Sequence, residues 1–409
     1  MSTDRYDAIV VGARCAGSPT AMLLAKKGYK VLLVDKATFP SDTISTHLIH
    51  PPGITALRRW GLLDRLVDTG CPPIRTYAFD FGPFTITGTP GTDEAPVSYG
   101  PRRTVLDKLL VDAAAEAGAE VREGFTVEDV VMEDGLVTGV RGHAKGGATV
   151  TEKARVVVGA DGLHSRVAQA VKPDQYDEKP PLNASYYTYW SGLPTLNDGG
   201  FEAYIRPDCG VAVWPTHGEL TLVIAGWTYS RFAENRSDIE RHYHETIDLV
   251  PSFAERLRAA RREEPFVGMA VPNYFRKPFG PGWALVGDAG YNKDFITAQG
   301  IQDAFRDAER CAEAIDQAFS GARPYEAVMA EVQGVRDVNA KPMYEFTAGL
   351  ATMKEPPPEM QQVLAAVSRT PEASRGFVRV YAGVDSPATF FTPENIGQIF
   401  AAAGAAPTS

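Results

Sequence analysis

The chain has 409 residues and a mass of 44.2 kDa, is 44% hydrophobic and 22% charged, and carries a net charge of -10. At about 150 residues per domain this length gives two or three domains with ample core, which excludes a small fold stapled by disulfides or a structural metal. The acidic balance argues against a nucleic-acid partner, and the scattered Cys15, Cys71, Cys209 and Cys311 form no Cys-x-x-Cys, so neither a zinc site nor a disulfide framework is expected.

The start, Met1 to Tyr6, is polar and lacks the apolar core of a signal segment, and no later run reaches the roughly 18 apolar residues of a membrane span. A cytoplasmic protein without a transmembrane segment is expected. Asp7-Ala-Ile-Val-Val-Gly12 reads as a strand, followed by a small-residue turn and a helix through Ala21 to Ala25 that Gly28 closes. Lys30-Val-Leu-Leu-Val-Asp35 is a continuous apolar run ending in an acid, the pattern of a buried parallel strand.

The spacing predicts helices over Pro52 to Val67 and Thr104 to Gly118. Between them, and again at Ala203 to Arg206, Val211 to Trp214 and Leu220 to Ala225, the period falls to two, which predicts antiparallel strands of a second, sheet-based domain. Apolar strands resembling the first return at Ala154 to Gly159 and Gly282 to Gly287, so the domain that begins with the first strand is expected to be discontinuous. A helix from Gly300 to about Phe319 buries Ile301, Ala304, Phe305, Ala308, Cys311, Ala312 and Ile315 on one face. The remainder reads as helical, with a turn at Glu355 to Glu359 and a frayed tail from Ala401 to Ser409.

Gly12-Ala-Arg14-Cys-Ala16-Gly17, between a strand and a helix and with Asp35 eighteen residues on, is a dinucleotide fingerprint with one departure. Gly12 permits the tight turn, Gly17 the close approach of helix to strand, and the helix N-terminus offers amides to a pyrophosphate. Asp35, with Lys36 beside it, suits a free ribose diol, as in FAD or NAD. Arg14 replaces the middle glycine; its guanidinium either reaches a phosphate or the flavin edge or points away.

Two further motifs separate FAD from NAD. Gly159-Ala-Asp161-Gly162-Leu-His-Ser165-Arg166, and Gly282 to Gly287-Asp288-Ala289 followed by Gln299-Gly300-Ile301, resemble the paired motifs of the flavin-dependent aromatic hydroxylases, the p-hydroxybenzoate hydroxylase-like superfamily that includes geranylgeranyl reductases and flavin halogenases. With Gly12 to Asp35 and Arg102-Arg103-x-x-Leu106, the resemblance spans most of the first 320 residues.

The resemblance implies an α/β fold. It combines a doubly wound, Rossmann-like FAD-binding domain of the glutathione reductase type (residues 1–70, 101–175 and 270–330) with an interleaved antiparallel-sheet substrate domain (71–100 and 176–269) and a helical C-terminal segment (331–409). It further implies that Asp288 binds the ribityl chain and that the helix N-terminus at Gln299-Gly300 faces the pyrimidine end of the flavin, where positive charge suits the reduced anion. By the same resemblance Asp161 positions flavin and reductant, and either Arg102 or Arg103 lies beside the flavin phosphates or ring. The implied reaction is reduction of FAD by NAD(P)H, capture of O2 as a C4a-hydroperoxide, and oxygen transfer to a small aromatic or hydrophobic substrate, in a monomer or homodimer.

The chain departs from its relatives in places. The hydroxylases continue the Gly-Asp motif into a Pro-x-x-Gly turn, whereas here the run is Tyr291-Asn-Lys-Asp294-Phe295-Ile-Thr297-Ala-Gln-Gly300, with Phe295 where halogenases and reductases have proline. The halogenase lysine is missing, because residues 37 to 107 hold no Lys, and Tyr189-Trp190-Ser-Gly-Leu-Pro194 shares only the outline of the halogenase tryptophan signature. Gly210-Val-Ala212-Val-Trp214-Pro215 echoes a reductase strand, yet Ala212 stands where the reductase Trp would be. Reductase, halogenase and non-catalytic flavoprotein remain as alternatives.

Acid and base candidates are His47 and His50, in the loop that runs beside the flavin in relatives, and Asp294. Tyr189, Tyr204, Trp214, His217 and Phe295 are candidates for the substrate side, with Tyr186 and Trp190 as further aromatics; alternating aromatics also suit a plain core, so at most two of Tyr186, Tyr189, Trp190, Tyr204 and Trp214 are expected to line a pocket. No metal site is expected.

Overall fold

The computed structural model describes residues 5–196 and 199–404. The strand Arg5–Val11 pairs in parallel with Val31–Val34 on one side and with Val150–Gly159 on the other. Glu120–Arg122 and Trp283–Leu285 extend this run outwards, also in parallel. Val31–Val34 is buried on both faces, which is why its sequence is apolar without alternation. The helices Gly17–Lys26, Arg103–Glu116 and Gly300–Phe319 cover one face. The sheet therefore draws its strands from three separated stretches of chain, as the recurring apolar runs suggested.

A second sheet is ordered Arg261–Arg262, Asn183–Ser191, Leu220–Thr228, Cys209–Pro215, Phe201–Arg206, Tyr77–Asp80, Thr85–Gly88, with Val267–Met269 also on Asn183–Ser191. It is antiparallel apart from the pairing of Phe201–Arg206 with Tyr77–Asp80. One face carries Tyr187, Tyr189, Phe201 and Trp214. The other, with Tyr186, Trp190, Tyr204 and Trp227, is sealed by the helices Ile239–Asp248 and Pro251–Arg258.

The chain closes with the helices Tyr325–Ala351, Pro358–Val367, Pro371–Tyr381, Pro387–Phe390 and Pro393–Ala402. The position 330/331, expected to begin this segment, falls inside the first of them. The helix expected over Pro52 to Val67 is two, Pro51–Trp60 and Leu63–Val67, because Gly61 adopts a left-handed conformation that ends the first. Of the tail expected to fray, Ala401 and Ala402 are helical and residues 405–409 lie outside the described residues, as do residues 1–4 of the polar start. All four cysteines are buried and unpaired. Among the described residues no cluster could hold a metal ion and no helix is long and apolar enough to cross a membrane.

Candidate functional site

The fingerprint turn sits where Arg5–Val11 ends. A Cβ at Gly12 would lie 2.4 Å from the Ala160 carbonyl oxygen and one at Gly17 would lie 1.7 Å from the Gly12 oxygen, so both positions require glycine. The same turn is crossed by the third motif: a Cβ at Gly287 would meet the Ala16 methyl at 2.9 Å. Three motifs far apart in sequence thus converge on one turn. Asp35 accepts hydrogen bonds from Ala13 N at 2.7 Å and Ala37 N at 2.8 Å, one on each carboxylate oxygen, while Lys36 is exposed.

The three arginines of this region are all paired with carboxylates. Arg14 Nη1 lies 2.5 Å from Asp107 Oδ2, and Arg14 also reaches Ser41 Oγ and the Asp42 carbonyl. Arg103, nearly buried, pairs with the other oxygen of Asp107 at 3.0 Å. Asp107 itself is fully buried and was not foreseen; its position four residues after Arg103 on a helix was the available signal. Arg102 points the other way, to Glu264 at 2.8 Å and Asp42 at 3.2 Å, with its guanidinium 3.9 Å from the centre of the Tyr189 ring. The two adjacent arginines therefore have different partners, Arg103 acting on Asp107 and Asp288 and Arg102 on Glu264 and Tyr189 of the second sheet.

Asp288 is the middle residue of a short turn, Gly287–Ala289, whose Gly287 N–H donates to Asp307. It is solvent-exposed yet closely surrounded by protein, as a carboxylate lining a cleft must be, and that enclosure pushes its carboxyl up to about 6 against the opposing pull of Arg103. Asp161 has a different role. Its carboxylate accepts from Ser165 Oγ and from the backbone of Arg166 and Val167, capping the helix Arg166–Val171, while Gly162 makes the turn.

Gln299, Gly300 and Ile301 form the first turn of the long helix. Gly300 is exposed, a Cβ there would touch nothing within 4 Å, and Ile301 is buried in the core. Gln299 turns its side chain away, donating to the Tyr381 carbonyl at 2.7 Å.

The three acid and base candidates differ. His50 donates from Nε2 to the Thr297 carbonyl at 2.9 Å, and its Nδ1 accepts from Tyr77 at 2.7 Å. It is sealed from solvent with both nitrogens occupied, and burial pushes it down to about 4. Asp294 is equally closed in: it accepts from Asn183 Nδ2 at 2.7 Å and Ile296 N at 3.0 Å, and burial raises it to about 7. Its role is to cap the turn Phe295–Thr297, in which Phe295 is half-buried.

His47 stands apart. It is fully buried with a left-handed backbone (φ 62), and its Nε2 lies 2.5 Å from the Tyr189 hydroxyl while its Nδ1 has no partner. A buried polar atom left unpaired costs about 1–3 kcal/mol, and strained backbone collects at functional sites. Burial, with Arg103 and Arg102 nearby, holds the imidazole well below its usual pKa, so it is neutral. Burial also raises the Tyr189 phenol.

Of the aromatics expected on the substrate side, Tyr189 and Trp214 share the inner face of the second sheet. Tyr204 does not: its hydroxyl donates to Glu202, which pairs with Arg256, and its ring stacks on Phe253 under the outer helices. Tyr186 and Trp190 lie on that outer face too. His217 accepts from Arg102 N at 3.1 Å and bonds Thr69 through Nε2, which leaves it a link between segments.

Comparison with known proteins agrees with this architecture. The chain is 29% identical over 342 residues, 80% of its own length and 82% of the relative's, to a digeranylgeranylglycerophospholipid reductase of Methanothrix thermoacetophila. It is 27% identical over 331 residues, 77% and 78% of the two lengths, to a 1H-pyrrole-2-carbonyl-[peptidyl-carrier protein] brominase of Pseudoalteromonas luteoviolacea. Among solved structures, PqsL of Pseudomonas aeruginosa, a probable FAD-dependent monooxygenase, superposes with a TM-score of 0.71 over 91% of this chain and 99% of that one, at 19% identity. The FAD binding domain profile matches residues 5–328. Fingerprint turn, acid-ended second strand and converging Gly-Asp motif are thus the parts of a flavoprotein, and the chain belongs to the FAD binding domain family.

Proposed function

We propose that the protein is a FAD-dependent monooxygenase that uses NAD(P)H and O2 to hydroxylate or otherwise oxygenate an aromatic or related hydrophobic small molecule in the cytoplasm. In this reading residues of 1–70, 101–175 and 270–330 hold the cofactor, and those of 71–100 and 176–269 the substrate. The groove suits FAD. A cradle at Gly12 and Gly17 that any Cβ would fill admits a pyrophosphate, Asp35 keeps lone pairs for a ribose diol, and the enclosed Asp288 suits ribityl hydroxyls. Bound FAD supplies the redox chemistry, taking a hydride from NAD(P)H and using O2 to deliver one oxygen atom to the substrate and the other to water.

The observation that carries the reading is His47. A neutral, buried imidazole whose Nδ1 has no partner, beside Tyr187 and Tyr189, offers a hydrogen-bond acceptor to a phenol or similar O–H group once that group is seated against it. If Nδ1 accepts a hydrogen bond from the substrate O–H, Nε2–H donates to the Tyr189 oxygen, and each of these two bonds has one donor and one acceptor. Lack of any Lys between residues 37 and 107 weighs against halogenation.

A second reading, reduction of an isoprenoid double bond, is favoured by the similarity to the Methanothrix thermoacetophila reductase and by Trp214-Pro215, and weakened by Ala212. One experiment separates them. The purified protein is scanned for bound flavin, and NAD(P)H and O2 loss are followed with phenols, other aromatics and isoprenoids, beside His47→Ala. Substrate-stimulated O2 uptake that falls about a hundredfold in His47→Ala supports oxygenation. Product formed without O2 supports reduction, and flavin that no substrate influences marks a non-catalytic flavoprotein.

A further inference from the structure

Several of the bonds that hold the turn leading into the helix Gly300–Phe319 come from the C-terminal segment. Tyr381 donates its hydroxyl to the Ile296 carbonyl at 2.6 Å, Thr347 bonds the Thr297 hydroxyl at 2.9 Å, and Gln299 Nε2 donates to the Tyr381 carbonyl at 2.7 Å. Gln302 in turn donates to Gln299 Oε1. Gly383 makes room for this contact, since a Cβ there would sit 2.6 Å from both Gln299 Oε1 and Gln302 Nε2, in a left-handed conformation. The Tyr381 ring also packs edge-on against His50, whose Nε2 holds the Thr297 carbonyl.

Thr347, Tyr381 and Gly383 all lie beyond residue 328, where the match to the family ends. We infer that the C-terminal helical segment is part of the cofactor site, and that Tyr381 is a positioning residue fixing the turn Phe295–Gln299 so that the amides of the following helix stay aimed at the flavin. The inference rests on the reading that this helix N-terminus faces the flavin.

The physical argument concerns preorganisation. Helix N-terminal amides stabilise developing negative charge only if they are held in place before it appears, because reorganising them would absorb the gain. An irregular turn has no ladder to hold it, so its carbonyls must be fixed by side chains. Here two consecutive carbonyls, Ile296 and Thr297, are each bonded by a buried ring, Tyr381 and His50. The next residue, Ala298, takes a left-handed conformation (φ 52) that the unsupported chain would abandon. Releasing the Tyr381 bond therefore leaves the fold intact but lets the helix end drift.

The test uses the full-length holoprotein and three variants. Tyr381→Phe keeps the ring and its packing and deletes one hydroxyl. Tyr243→Phe deletes an equally buried hydroxyl, bonded to the Val223 carbonyl and Trp190 Nε1 in the outer layer of the second sheet. Gly300→Asp puts a carboxylate at the exposed helix end. Flavin midpoint potential, FAD dissociation constant and urea stability are measured for each.

Tyr381→Phe is expected to lower the potential and weaken FAD binding about fivefold, the equivalent of one net hydrogen bond. Tyr243→Phe should lose stability with no change in potential. If Tyr381→Phe loses stability alone, like Tyr243→Phe, the residue is merely structural and the inference is overturned. Gly300→Asp checks the premise separately: a lower potential or lost FAD supports a helix end that faces the flavin. No effect on either removes the premise and the inference with it.

Discussion

A single sealed carboxylate, Asp107, holds Arg14 at 2.5 Å on one oxygen and Arg103 at 3.0 Å on the other. Removing it would strand a nearly buried guanidinium, so Asp107→Ala should cost about 3–5 kcal/mol in urea unfolding. Arg14 retains access to solvent, and Arg14→Ala should cost clearly less. Equal losses would show that Asp107 contributes little beyond its ion pair with Arg14.

The division between neighbouring arginines is testable by flavin content. Arg103→Ala should purify largely without FAD, because Arg103 acts on Asp288 and Asp107. Arg102→Ala should keep its FAD and instead loosen the contact with Tyr189 and Glu264, raising the KM for substrate. The opposite pattern would reverse the assignment.

Gly17→Ala should abolish FAD binding. Its Cβ would fall 1.7 Å from the Gly12 oxygen, which belongs to backbone and has no room to yield. Retention of a full flavin spectrum would show that the turn tolerates a rearrangement the geometry does not suggest.

Two buried groups push the pH dependence of stability in opposite directions. His50 falls from 6.5 to about 4 on folding, so its contribution of about 3 kcal/mol is present above pH 6.5 and lost as pH drops towards 4. Asp294 rises from 3.8 to about 7, so its contribution is present below pH 3.8 and lost as pH rises through 7.

Asp294→Asn should therefore stabilise the protein at pH 8. Asn183 Oδ1 and Asp294 Oδ2 both lack partners within the same carboxyl and amide pair, and a second amide supplies the missing donor. A gain of about 1–3 kcal/mol by urea titration is expected. A loss would mean that the ionised form is needed there.

Local patterns in the sequence carried the cofactor side. The glycines at 12 and 17, the acid closing the second strand and the helix from Gly300 are each written in a short window, and the structure has each of them. Side chains that answer one another across the fold are not written that way. Nothing near Thr297 points to Thr347 or Tyr381, and nothing near Arg14 points to Asp107.

Tyr204 shows a subtler limit. Strand alternation says that Tyr186 and Tyr189 point to opposite faces, but which of them Tyr204 joins depends on register. The pairs Tyr204 with Val211, Val211 with Ala225, and Ala225 with Tyr186 form one row, which puts Tyr204 on the outer face. The same logic runs Trp214 through Leu222 to Tyr189 on the inner face. No single strand contains that information.

The first sheet also dictates an order of assembly on the ribosome. Arg5–Val11 emerges first and can pair at once with Val31–Val34, but its other edge must wait for residues 153 to 159, and that strand in turn waits for Trp283 to Leu285. Until then a bare apolar edge stands open on the nascent chain, the kind of surface that recruits wrong partners. Slow refolding after dilution from urea, and a benefit from chaperones during synthesis, follow from this wiring alone.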